Sequence, residues 1–214
     1  MSYIITKAHL KLQRSGSKYD NVINESRIDR ILCSTQNKVT VFLSHKHDET
    51  EILQDVISLL KNCGVDVYVD WMDEGMPQKT SGETAHKLKQ KIDACRKFIF
   101  LGTEGAIASK WCNWELGQGD AKKYPLNIAI MPIADRDGIY SGSEYMQIYP
   151  TIKSDYMPIA DSYFVEWNNT KITLKDWLRR QWERKSSSHT NTQTHQSSAW
   201  IGPQTGNRPR YATM

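Results

Sequence analysis

Between Lys38 and Ile133, short apolar runs alternate with stretches whose apolar residues return every three or four positions. "KVTVFLS" (38–44) is apolar and then turns polar, as a buried strand does. "ETEILQDVISLLKNCG" (49–64) sets Ile52, Val56, Leu59, Leu60 and Cys63 at helical spacing and stops at Gly64. "VDVYVDW" (65–71) alternates Val65, Val67 and Val69 with polar partners and predicts a second strand. The turn-rich "MDEGMPQKTSGE" (72–83) then leads into a helix carrying Leu88 and Ile92. "KFIFLG" (97–102) predicts a third strand, and "SKWCNWELGQGDAKKY" (109–124) a helix with Ser109 as its N-cap. "LNIAIMPI" (126–133) and "SYFVEW" (162–167) predict the fourth and fifth strands. "TLKDWLRRQWERK" (173–185) closes with a helix carrying Leu174, Trp177, Leu178 and Trp182.

Strands that alternate with helices and are apolar on both faces predict an α/β fold, a five-stranded parallel sheet of the flavodoxin-like kind with helices on both faces. The usual strand order is 2-1-3-4-5, with ligands beyond the carboxyl ends of strands one and three. The segment between strands four and five is long and irregular, with a short helix expected around Glu144–Ile148. The domain runs over 37–185. Residues 1–36 read as a less regular N-terminal extension with one helix in "DNVINESRIDRILC", and 186–214 as a polar, Ser/Thr/Gln-rich disordered tail.

Composition narrows the function classes. The net charge of +4 carries no basic face with interleaved aromatics, which argues against nucleic-acid binding. Cys33, Cys63, Cys95 and Cys112 are widely spaced and read as reduced thiols, so the expected location is cytoplasmic. No apolar run approaches membrane-spanning length, and no membrane partner is expected.

The loop after strand one is "SHKHDE" (44–49), and the loop after strand three enters the helix that holds Trp111 and Glu115. Four residues apart, these two lie on one helical face and point together at the crevice. A flat indole beside a carboxylate suits a cationic aromatic ligand, and a carboxylate also stabilises the oxocarbenium character that develops when a glycosidic bond breaks. Trp114 reads as packing, Cys112 as packing rather than a nucleophile, and the Trp177/Trp182 stripe as core or interface. His45 and His47 have no cysteine or third ligand nearby in the sequence, so no metal is assigned to them. Asp70, Asp73 and Glu74 read as acidic turn residues rather than a magnesium site. Asp48 and Asp70 lack the lysine and acidic pair of a receiver domain.

Together "VFLSHKHDE", "LLKNCGVDVYVDW", "KIDACRKFIFLG" and "SKWCNWEL" resemble, in order and spacing, a Toll/interleukin-1 receptor (TIR) domain of the bacterial NAD-consuming kind. The resemblance implies that Glu115, in the WxxxE stretch, is catalytic. It implies that Trp111 lines the nicotinamide side of the pocket, and that His45, Lys46 and Ser44 contact the dinucleotide. It makes "WMDEGMPQKTSGE" a gating loop with Gly82 at a close-approach position, completed by a neighbouring copy through self-association. Met76-Pro77 stands where receptor adaptors carry Pro-Gly, which weakens an adaptor reading. The implied activity is that of an NAD+ glycohydrolase or ADP-ribosyl cyclase, with NAD+ as substrate and no cofactor. The similarity to stand-alone TIR proteins of Thoeris-type antiphage defence implies a nucleotide signal read by a separate effector protein. The alternative is a non-catalytic TIR interaction module.

Overall fold

The computed structural model describes residues 3–15, 39–70, 81–123, 125–134, 140, 142–155 and 162–182. In chain order, the strands are β1 (Ile5–Thr6), β2 (Thr40–Ser44), β3 (Asp66–Tyr68), β4 (Lys97–Gly102), β5 (Ile128–Ala134), β6 (Thr151–Ser154), β7 (Tyr163–Trp167) and β8 (Thr170–Thr173). The α-helices are α1 (Lys7–Ser15), α2 (Thr50–Asn62), α3 (Gly82–Ala94), α4 (Glu104–Ala108), α5 (Lys110–Lys122) and α6 (Leu174–Arg179). The sheet runs β3-β2-β4-β5-β6-β7-β8, and β1 pairs with β5.

The strands from β3 to β6 are all parallel, which gives the expected five-stranded core in the expected order. Its fifth member differs from the reading above. β6 takes that place, while "SYFVEW" forms β7, antiparallel to β6 and continued by β8. Four residues with Ile152 as their one strongly apolar side chain leave no periodicity to detect, whereas "SYFVEW" shows one plainly. The short helix over Glu144–Ile148 is present as a 3-10 turn.

Side chains alternate across the sheet. Val41, Leu43, Ile99, Leu101, Ala129 and Met131 join one core layer with α2, Leu10 of α1, and Leu174, Trp177 and Leu178 of α6. Phe42, Phe98, Phe100, Ile128 and Ile130 face the opposite layer with Leu88 and Ile92 of α3 and Leu116 of α5. This is the double winding that strictly buried strands require. Gly64, at φ +84°, ends α2 in a conformation that only glycine adopts without strain. Gly119 lets α5 press on β4, since a Cβ there would stand 3.0 Å from the Phe98 ring.

Residues 3–15 are built into this body. Ile5 pairs with Ile133, Tyr3 bridges Ser154, and Ile5 and Leu10 are fully buried. The helix expected in 20–33 and the tail from 186 lie outside the described residues. The closing helix is shorter than its apolar stripe suggests. Trp177 is buried and its Nε1 donates to the Leu126 carbonyl, whereas Trp182 lies beyond the helix end. There the Asn127 side chain both donates to the Trp182 carbonyl (2.7 Å) and accepts from its N–H (3.3 Å), which holds the backbone out of the helical path.

Candidate active site

β2 and β4 are neighbours, and the chain leaves them toward opposite faces, so the sheet changes winding direction between them. Crevices of this kind are where doubly wound sheets bind ligands. Ser44 ends β2. On the other side, Thr103 caps α4, and Ser109 caps α5 by accepting from the Cys112 N–H (3.3 Å), which sets the helix that carries Glu115.

Glu115 is buried, with 3% exposure, and its Oε2 accepts a 2.6 Å hydrogen bond from Ser44 Oγ. Burial, and then the nearby charge of Asp70, push its pKa up to about 8, against the opposing pull of the Ser44 hydroxyl. At neutral pH the protonated form of this carboxyl is therefore favoured in the free protein. Acids tuned this far from their ordinary value concentrate at functional sites.

His45 is also buried, and its Nδ1 stands 3.1 Å from the Leu43 carbonyl. A carbonyl only accepts, so Nδ1 carries the proton and Nε2 presents a lone pair. Burial lowers the His45 pKa, which keeps the ring neutral. His47 is exposed, and its Nε2 lies 2.9 Å from Asp70 Oδ2, a hydrogen bond that raises its pKa. Asp70 follows β3 and is buried, 3.9 Å from His45 Nε2.

Four of the residues singled out in the sequence cluster here. Ser44 and Glu115 are bonded, His45 follows directly and accepts at its carbonyl from Cys112 Sγ (3.1 Å), and half-exposed Lys46 lies 3.9 Å from Asp48. Cys112 is buried, with its thiol pKa pushed up to about 11 by desolvation, in keeping with a packing role. Trp114 packs against the core layer of α3 and α5, and its ring also stacks on that of Trp111, with centroids 4.8 Å apart and planes at 18°, because positions three apart on a helix are neighbours. Gly82 is the exposed first residue of α3, and a Cβ there would meet nothing within 4 Å. Residues 71–80 of the expected gating loop lie outside the described residues.

Sequence reasoning missed Asp70 as a member of the site. Its signal was an acid closing the alternating run "VDVYVD" (65–70), beside the strand that carries Ser44. Asp70 also supplies the third donor judged missing beside His45 and His47, and the three offer ligand atoms within 4.8 Å of one another. Among the described residues, no helix is long and apolar enough to cross a membrane.

Comparison with known proteins agrees with the fold. The TIR domain family profile matches residues 41–149. The chain is 32% identical over 122 residues to a probable 3′ cyclic ADP-D-ribose synthase, ThsB′, of Bacillus cereus (strain MSX-D12), covering 55% of this chain and 62% of that protein. It is 25% identical over 88 residues to a candidate cyclic ADP-D-ribose synthase, TIR2, of Cytobacillus dafuensis, covering 39% of this chain and 23% of that protein. The matched region thus spans less than two thirds of either relative.

Proposed function

The chain belongs to the TIR domain family, and from that premise we propose that it is an NAD-consuming enzyme that breaks the nicotinamide–ribose bond. The observation that carries this reading is Glu115, buried at the sheet's switch point, bonded to Ser44 and poised near neutrality. A module that only assembled with other TIR domains would have no use for such a group.

The chemistry follows from the charge. The bond from the ribose C1′ to the pyridinium nitrogen breaks with its electron pair going to nitrogen, so nicotinamide leaves neutral and no acid is needed to protonate it. Positive charge moves onto the ribose. The Glu115 carboxylate stabilises that charge, and Ser44 holds the carboxylate in place. Approach of the cationic ring favours loss of the Glu115 proton. Trp111, backed by the stacked Trp114, offers its face to the nicotinamide. His45, Lys46 and Gly82 are assigned to the rest of the dinucleotide.

The names of the two relatives support a cyclic ADP-ribose-type product over free ADP-ribose. Such a product suits a signal in antiphage defence that a separate effector senses, with self-association of the TIR domain completing the site. The test is chromatography of NAD incubated with the protein at nanomolar to tens of micromolar concentration. Nicotinamide and a cyclic ADP-ribose isomer are expected, with activity per molecule rising with concentration. NAD left intact throughout would favour the interaction module.

A further inference from the structure

We propose that His45, His47 and Asp70 form a binding site for one divalent cation of the zinc class at the carboxyl ends of β2 and β3. Two histidines come from the loop after β2, and the carboxylate from the residue that follows β3 and Val69. Their donor atoms all lie within 4.8 Å of one another. Ligands about 2.0–2.1 Å from zinc stand about 3.3 Å apart around a tetrahedron, so the gap to close is about 1.5 Å. His47 is exposed and attached to a loop, and a change of its rotamer closes a gap of this size.

His45 carries the argument. Its Nδ1–H is engaged by the Leu43 carbonyl, so Nε2 is an acceptor nitrogen, buried and without a hydrogen-bond partner among the described residues. Orphaned buried acceptors are rare in folded proteins and call for an occupant. A proton on Nε2 does not resolve this. The nearest carboxylate oxygen, Asp70 Oδ1, is 3.9 Å away, too far for a hydrogen bond, and burial opposes the imidazolium. A histidine whose Nδ1–H is fixed by a backbone carbonyl, with its Nε2 lone pair aimed at a second imidazole and a carboxylate, has the arrangement of a metal ligand.

The donor set narrows the ion. Two imidazoles and one carboxylate suit zinc, cobalt or nickel, whereas magnesium and calcium take oxygen ligands. Three protein ligands leave a fourth tetrahedral position open to water or to an anionic group. The bound ion would take the His45 nitrogen otherwise assigned to the dinucleotide and would lie beside the Asp70 charge that acts on Glu115, so the site is read by zinc binding in the absence of NAD.

The experiment titrates zinc into the chelator-stripped, reduced full-length chain against a chromophoric chelator, with cobalt as a spectroscopic substitute. One equivalent of zinc is expected. Cobalt should give ligand-field bands without the intense near-ultraviolet absorption of a thiolate ligand. His47→Gln and Asp70→Asn should each weaken zinc by at least about tenfold. Cys33→Ser, and the double variant of the two histidines of the 186–214 tail, His189→Gln/His195→Gln, should keep it, since the proposal draws its ligands from His45, His47 and Asp70 alone. Circular dichroism checks folding, and exposed His47 keeps the test decisive if Asp70→Asn fails to fold. Failure of the wild-type chain to compete with the chelator would overturn the proposal. So would affinity unchanged in folded His47→Gln, or lost with Cys33 or the two tail histidines.

Discussion

Ser44 Oγ donates a 2.6 Å hydrogen bond to Glu115 Oε2, joining the end of β2 to the second turn of α5 across 71 residues of chain. The bond favours the charged carboxylate, against burial and Asp70, which favour the neutral acid. Ser44→Ala should therefore move the Glu115 titration to higher pH. A hydrogen bond to a charged group is worth about 1.5–3 kcal/mol, so kcat/KM at pH 7 should fall by about ten- to a hundredfold. A pH profile of nicotinamide release checks this. An unmoved ascending limb would show that the serine does not set the charge.

Asp70→Asn should act in the opposite sense. It removes the like charge that presses on Glu115, so the limb should move toward lower pH. The same profile measures it, and a shift to higher pH would contradict the electrostatic assignment.

The raised pKa of Glu115 also has a cost in stability. Its folded value of about 8 lies above the ordinary carboxylate value of about 4.3 expected in the unfolded chain. Between these values the folded protein holds a proton that the unfolded chain has lost, so stability falls as pH rises through that window. The steepest slope from one group is about 1.4 kcal/mol per pH unit. Glu115→Gln removes this dependence. Its melting temperature should exceed wild type by a margin that grows from pH 5 to about pH 8 and is then constant. Parallel melting curves across pH would contradict it.

Trp111 and Trp114 form one stacked platform, so their substitutions should not add. Trp111→Ala should raise KM for NAD more than it lowers kcat. Trp114→Ala should raise KM to a smaller degree, by loss of a stacking term of about 0.5–1.5 kcal/mol. A double-mutant cycle on KM measures the coupling, and strict additivity would show that the rings act separately.

Lys97 is buried, with its Nζ 2.7 Å from Asn127 Oδ1 and 4.5 Å from the Trp177 ring centroid. Desolvation, and then Arg96 and Lys123, lower its pKa to about 7. Lys97 is thus less protonated when folded than when unfolded between about 7 and 10.5, so its contribution to stability improves as pH rises through that window. Lys97→Met should therefore gain most, relative to wild type, at or below pH 7. Denaturant melts at pH 6 and pH 9 test this, and an equal change at both would contradict it.

What was legible in the sequence follows from chain-local signals. β2, β4, β5, α2, α3 and α5 declare themselves through runs or periodicity, and Ser109 through its capping position. Glu115 was legible because Trp111 lies one turn before it and the sheet order placed both at the crevice. β6 was hidden by its length, and the outward turn at Trp182 by its dependence on Asn127, distant in sequence. The stack of Trp111 on Trp114 turns on side-chain rotamers, which residue spacing leaves open. Asp70 was invisible as a partner because only the pairing of β3 with β2 brings it beside His45 and His47.

The most direct measurement is kcat/KM for nicotinamide release from pH 6 to 9, for wild type and for folded Glu115→Gln. The free-enzyme titration governs this quantity. The wild type is expected to rise with a midpoint near pH 8 and level off toward pH 9, while Glu115→Gln is expected to be flat and lower by about 10²–10³. A Glu115→Gln protein that is folded and retains wild-type turnover, or the wild-type limb, would contradict the assignment of Glu115 as the group that breaks the bond.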